Sequence, residues 1–146
     1  MAEKRQTGDV VILGAGLHRY GIFPEESFTD LAVEAARAAL QDAGIDWQDI
    51  ETGYCAYTNL GISSGHVIAH ALGSSGIAIT NVENASASGN SAFHEAYLSV
   101  ASGLYDTAIA IGVDKLKSYR HSGAGNDKKD RLKAEPNTCL LYTSPS

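Results

Sequence analysis

Cysteine is scarce in this chain. Cys55 and Cys139 are the only two in 146 residues and cannot build a disulfide framework, so a reducing, cytoplasmic compartment is the default expectation. Long apolar runs are missing too: no stretch approaches the ~20 residues of a membrane-spanning helix. The first residues, Met1-Ala2-Glu3-Lys4-Arg5-Gln6-Thr7-Gly8-Asp9, are polar and lead straight into a strand-like run, which is not the pattern of a signal peptide. There is no excess of positive charge. A formal net charge of −6 argues against nucleic acid or an anionic membrane as the main partner. What remains is 44% hydrophobic and 19% charged, an ordinary globular composition on a length that can hold one domain with a real core.

Residues 139–146 stand apart. Cys139-Leu140-Leu141-Tyr142-Thr143-Ser144-Pro145-Ser146 can be encoded by TGT CTC TTA TAC ACA TCT CCG AGC, a string that looks like a sequencing-library adapter. This tail is left out of fold reasoning, and on that reading the parent protein is longer. Before it, residues 117–138 are rich in Lys, Arg, Asp and Gly with little periodicity and read as a solvated loop or the start of an inserted segment. Residues 1–9 read as a polar arm, which leaves 10–116 as the folded unit.

Val10-Val11-Ile12-Leu13, followed by Gly14-Ala15-Gly16, predicts a strand buried on both faces. A helix is predicted over Ser27–Ala43, with Ser27 as N-cap, Asp30 in the capping-box position and Gly44 as the stop. Leu31, Ala35, Ala38 and Ala39, with Leu40 beside them, form its apolar face; Glu34, Arg37 and Gln41 fall elsewhere. A short helical turn at Trp47–Ile50 and a strand over Gly53–Tyr57 follow. Next come a helix over His66–Leu72, a strand over Ile77–Val82, a helix from about Ala87 to Ser102 and a strand over Thr107–Val113. The order βαβαβαβ, with strands lacking alternation, predicts an α/β fold: a mainly parallel sheet with helices on both faces.

Gly14-Ala15-Gly16-Leu17-His18-Arg19 resembles the start of a dinucleotide fingerprint, but the third glycine is replaced by Arg19 and the helix starts too late for a pyrophosphate. A turn where backbones pass closely is the plainer reading. His66 and His70 have i,i+4 spacing but neither an intervening Glu nor an obvious third ligand, so no metal site is assigned. His18, His94 and Glu95 show no spacing that selects a chemistry. Cys55 reads as a small apolar residue in a buried strand.

The stretch Asn81-Val82-Glu83-Asn84-Ala85-Ser86-Ala87-Ser88-Gly89 crowds small residues between a strand and a helix. Ser86 there has three readings: a serine nucleophile, a repurposed nucleophile position, or an N-cap. The nucleophile reading lacks a Gly-x-Ser-x-Gly frame, since positions 84 and 88 are Asn and Ser.

The same stretch resembles the nucleophile turn of the thiolase superfamily, Asn-x-x-Cys-Ala-Ser/Thr-Gly, with Ser86 where the family carries its acyl-accepting cysteine. Further likeness lies in Val11–Gly16, Asp30–Leu40, Gly44-Ile45-Asp46 and Ala110–Leu116; Gly-x-Gly-x-x-Arg-Tyr-Gly is similar to the opening of sterol-carrier-protein-type thiolases. The resemblance implies the N-terminal half-domain of a thiolase-like fold and a parent acting on acyl-CoA thioesters, in the manner of an acetyl-CoA acetyltransferase. It implies no cofactor beyond coenzyme A as part of the substrate, no metal, and a homodimer pairing the strand at 77–82. The family's Gly-His-Pro base motif and its second cysteine are not found here; His121-Ser122-Gly123 does not match. Two alternatives stay open: an aldolase cleaving carbon–carbon bonds of CoA thioesters beside a zinc-ribbon/OB-fold partner, and a non-catalytic module that dimerises or binds CoA. No substrate-binding residue is singled out.

Overall fold

A computed structural model describes residues 9–115. The elements are α1 (Phe28–Ala43), a 3₁₀ turn (Trp47–Asp49), β1 (Thr52–Ala56), α2 (Ser64–Gly73), β2 (Ala78–Val82), α3 (Ser88–Ala101) and β3 (Ala108–Gly112). The readings of residues 1–8, of 117–138, of the tail at 139–146 and of His121 lie outside the described residues.

All three strands are parallel, in the order β2-β1-β3. Thr52 to Ala56 pairs in register with Ala78 to Val82 on one side and with Ala108 to Gly112 on the other. The chain therefore steps one way from β1 to β2 and back past β1 to β3. Because crossovers between parallel strands are right-handed, that reversal puts α2 and α3 on opposite faces of the sheet. On the α2 side, Leu31, Ala35, Ala39, Trp47, Cys55, Ile68, Ile109 and Ile111 form one buried cluster. The sheet is thus parallel with helices on both faces, as the sequence predicts.

α1 follows its sequence closely. The Ser27 hydroxyl accepts from the Asp30 N–H at 3.1 Å, and the Asp30 carboxylate accepts from the Ser27 N–H at 2.8 Å, a reciprocal capping box. Gly44 closes the helix at φ 69°, a conformation that favours glycine. Leu31, Ala32, Ala35, Ala36, Ala39 and Leu40 are buried, while Ala38 sits half-buried at the margin of the stripe.

The first predicted strand is a correction. Val10–Leu13 forms no strand, and Val11, Ile12 and Leu13 are 66, 51 and 55% exposed. A strand needs a hydrogen-bonded neighbour, and β-propensity alone does not supply one. An open apolar slot lies between this run and Ala108–Ala110 of β3, bounded by Ala43 of α1 and by Phe93 and Val100 of α3. The segment is held to α1 instead. A Cβ at Gly16 would lie 2.2 Å from the Ala35 carbonyl oxygen and one at Gly14 2.5 Å from that of Ala39. The Ala15 N–H donates to Asp42 Oδ2 at 2.9 Å. Gly-x-Gly is thus a close approach of two backbones, and it faces the side of a helix rather than a helix N-terminus.

Gly16→Ala should destabilise the fold by about 1–3 kcal/mol, read as a lowered urea midpoint, because the obstructing atoms are backbone. Gly61→Ala, where a Cβ would meet nothing within 4 Å, should shift the midpoint far less. The capping box also has a pH signature. The Ser27 hydroxyl, and then its N–H, hold the Asp30 carboxyl below the usual carboxylate range. A folded-state pKa below the unfolded one contributes stability that is complete at neutral pH and is lost as pH falls through the carboxylate range. Asp30→Asn should remove that part of the acid dependence in urea melts recorded from neutral pH down into the acid range.

Candidate active site

Parallel strands bring their carboxyl ends to one edge of the sheet, and in open α/β folds that edge is where ligands bind. Here the edge is formed by Ala56, Val82 and Gly112. A cleft of about 460 Å³ opens beside it, lined by Ala56–Asn59, Ala85, Ser86, Ser88, Gly89 and Gly112–Asp114. Ser86 is exposed at its wall.

The turn that presents Ser86 is tightly bonded. Ser88 Oγ donates to the Ala85 carbonyl and accepts from the Asn84 N–H, both at 2.7 Å. Asn84 Nδ2 reaches Ser91 Oγ at 2.9 Å, and the Ala85 N–H donates to Glu83 Oε1 at 2.7 Å. These bonds hold Ala85 at φ 47°, in the left-handed region where a Cβ is unfavourable. The sharp turn sets Ser86 just before the start of α3.

The N-cap reading of Ser86 is corrected by this geometry. Ala87 is the cap residue of α3, and no side chain caps it. The Ala87 and Ser88 N–H groups are taken by the carbonyls of Asn84 and Ala85, at 2.9 and 3.1 Å. The N–H groups of Gly89 and Asn90 find no acceptor among the described residues. They are the donors of the first turn of α3, and its positive end favours negative charge at residue 86.

Among the described residues that line the cleft, Asp114 alone carries a carboxylate, and it is committed elsewhere. It accepts from the Thr58 N–H at 3.1 Å, the Asn59 N–H at 3.2 Å and the Thr58 hydroxyl. It clamps the loop after β1 to the end of β3 and is not free to act as a base. Among the described residues, none hydrogen-bonds the Ser86 hydroxyl and no histidine lines the cleft. Two residues escaped sequence reasoning. Asp114 gives no local signal, because the loop it clamps lies more than fifty positions away. Glu83 did give one: counting back from Ser86, the motif's Asn falls on Glu83, whose carboxylate bonds the turn.

The other sequence candidates lie apart from this cleft. His66 and His70 are on α2, and His94 and Glu95 are on α3. Cys55 is buried in β1 with the core, as expected. His18 is buried beside Glu26 and Glu34.

Residues 10–143 match the family model described as thiolase, N-terminal domain. The chain belongs to the thiolase family. It is 40% identical over 113 residues to the acetyl-CoA acetyltransferase of Methanocaldococcus jannaschii, covering 74% of this chain and 29% of that protein. It is 34% identical over 126 residues to the sterol carrier protein 2 of Gallus gallus, covering 84% of this chain and 23% of that one. This thiolase-family chain therefore spans less than a third of either relative. Among solved structures it resembles the 3-oxoacyl-(acyl carrier protein) synthase III of Pseudomonas aeruginosa, with a TM-score of 0.56 and 26% identity over 68% of this chain and 31% of that one. The corresponding synthase from Aquifex aeolicus, at TM-score 0.60, 21% identity and coverage of 69% and 34%, shares the fold.

Ala85→Gly should raise stability by about 0.5–1 kcal/mol in urea melts, because glycine meets no Cβ penalty at positive φ. Ser86→Cys should give a thiol more acidic than the ~8.5 of a free cysteine, being next to the α3 N-terminus. Iodoacetamide rates against pH, with Cys55 and Cys139 replaced, measure it; a value at or above the free-thiol one contradicts the placement.

Proposed function

We propose that this chain is the nucleophile-bearing N-terminal part of an enzyme that transfers acyl groups from acyl-CoA thioesters, in the manner of an acetyl-CoA acetyltransferase. The observation that carries the reading is the presentation of Ser86. It stands exposed on a strained turn, at the carboxyl edge of a parallel sheet and beside N–H groups of α3 that find no acceptor among the described residues. An acyl carbonyl attacked there would develop negative charge next to those donors, which is the arrangement that stabilises an oxyanion. The chemistry calls for no cofactor beyond the CoA ester itself. Cytoplasmic location accords with the scarcity of cysteine; among the described residues no helix is long and apolar enough to cross a membrane.

Ser86 itself limits the activity. A hydroxyl needs a base to attack a thioester, and the described cleft offers none. A positioned base contributes ~10²–10⁴-fold, so the 146-residue chain should not turn over acetoacetyl-CoA measurably. In the full-length parent, Ser86→Cys should give an acyl-enzyme detectable by mass spectrometry after incubation with acetyl-CoA. Turnover by the short chain at ordinary enzyme rates, or no acylation of the full-length cysteine variant, contradicts the reading. Carbon–carbon cleavage of a CoA thioester by the unaltered parent, dependent on a zinc-ribbon/OB-fold protein, would replace acyl transfer with the aldolase.

Homodimerisation through β2 belongs to the same proposal. Among the described residues β2 is an edge strand, and that edge can pair with a second copy. The probe must avoid Ile79, which points inward: a Cβ at Gly53 would lie 2.7 Å from its Cδ1 and one at Gly65 2.9 Å from its Cγ2. Thr80, exposed on this strand, is the better choice. Thr80→Lys should shift sedimentation at micromolar concentration toward monomer while leaving the far-UV spectrum unchanged.

A further inference from the structure

Away from the Ser86 cleft, the structure gathers a buried imidazole and two carboxylates. His18 is 1% exposed. Its Nε2 lies 3.3 Å from Glu26 Oε2 and 3.7 Å from Glu34 Oε2, and the ligand atoms of all three residues lie within 4.8 Å of one another. Glu26 directly precedes the cap of α1, and Glu34 stands on its exposed side.

The ring is held on every side. Its Nδ1 lies 2.8 Å from the Arg19 carbonyl oxygen, and a carbonyl can only accept, so Nδ1 carries the proton. The Phe23 ring packs at right angles to it with centroids 4.7 Å apart. Nε2 is thereby turned between the two carboxylates. With Nδ1 protonated, a neutral ring turns the Nε2 lone pair toward two carboxylates, and a positive ion at Nε2 would relieve that repulsion. Two nearby cations are engaged elsewhere: the Arg19 guanidinium lies over the Phe23 ring, and Lys115 Nζ donates to the carbonyls of Phe23 and Glu26.

The separations fit a metal ion more closely than a proton. A charge-assisted N–H···O bond closes to about 2.7–2.9 Å, shorter than either separation here. Ligand bonds of about 2.0–2.2 Å in a tetrahedron set neighbouring ligand atoms about 3.3–3.6 Å apart, close to both His18 separations, and the two carboxylate oxygens lie within 4.8 Å of each other. The carbonyl-bonded Nδ1–H is also the usual outer contact of a metal-binding histidine, fixing tautomer and orientation. We propose that His18 Nε2, Glu26 and Glu34 bind a zinc ion, with water in the remaining position, and that the ion ties the segment after Gly16 to α1. Exposed Glu34 leaves the site open to solvent for entry.

The test uses the 146-residue chain with His66→Ala, His70→Ala and Cys139→Ser, which leaves no i,i+4 histidine pair and only the buried Cys55 thiol. Zinc at micromolar concentration should raise the thermal midpoint, with one equivalent bound in a calorimetric titration. Cobalt(II) should give the intense visible bands of a tetrahedral site. Glu34→Gln is at an exposed helical position and should keep the apo far-UV spectrum, yet weaken zinc at least about tenfold and abolish the cobalt bands; His18→Ala should do the same where it folds. A zinc response unchanged by Glu34→Gln, or no zinc response in the unaltered trio, overturns the proposal. So does a zinc-independent midpoint that falls as pH rises through the imidazole range, which would make His18 a protonated partner of the two carboxylates.

Discussion

The hydrogen-bond ladder on both sides of β1 is the constraint from which the rest of the molecule follows. Thr52 to Ala56 is shared, in the same register, by β2 and β3. Parallel pairing on both sides forces every strand to end at the same edge, and the crossover reversal gives each face its own helix. The buried Thr52 hydroxyl reinforces one side by donating to the Ala78 carbonyl at 3.1 Å. Gly65 lets α2 approach: a Cβ there would lie 2.7 Å from that of Cys55, and its N–H donates to Asn81 Oδ1 at 2.9 Å. The central strand thus fixes where α2 can sit as well as where the cleft opens.

Where local chemistry decides, the sequence was legible. Ser27, Asp30 and Gly44 announce both ends of α1, and the alanine-rich stripe announces the buried face. The other helices and strands fall within a few residues of their expected bounds, because glycine and serine punctuate them. Legibility failed where the outcome depends on distant partners. Val10–Leu13 has the composition of a strand, but pairing is a property of two segments, and none of the described residues pairs with it. Leu104, an apolar residue just past α3, is 71% exposed, because Gly103 turns the chain away after the helix. For the site, the sequence located the turn and its serine; the Asp114 clamp and the His18 cluster depend on the fold to bring their members together.

The scaffold and the chemistry can be separated. Ala85, Ser88, Asn84 and Glu83 build a turn that would present any small side chain at position 86 in the same way. Whether that side chain reacts depends on its acidity and on a base. A thiol is partly ionised near neutral pH and a hydroxyl is not, so the one-atom difference between Cys and Ser at residue 86 bears directly on the proposed acyl transfer.

The Asp114 clamp has a kinetic consequence. It joins residues 56 positions apart, the loop after β1 to the end of the last described strand, and it cannot close until β3 has docked beside β1. Contacts of such sequence separation form against a large loop-closure entropy and tend to be absent from the folding nucleus. The cleft wall is then among the last parts of the molecule to consolidate and among the first to loosen. Damage there would shorten the lifetime of the native state while leaving the rate of reaching it nearly untouched.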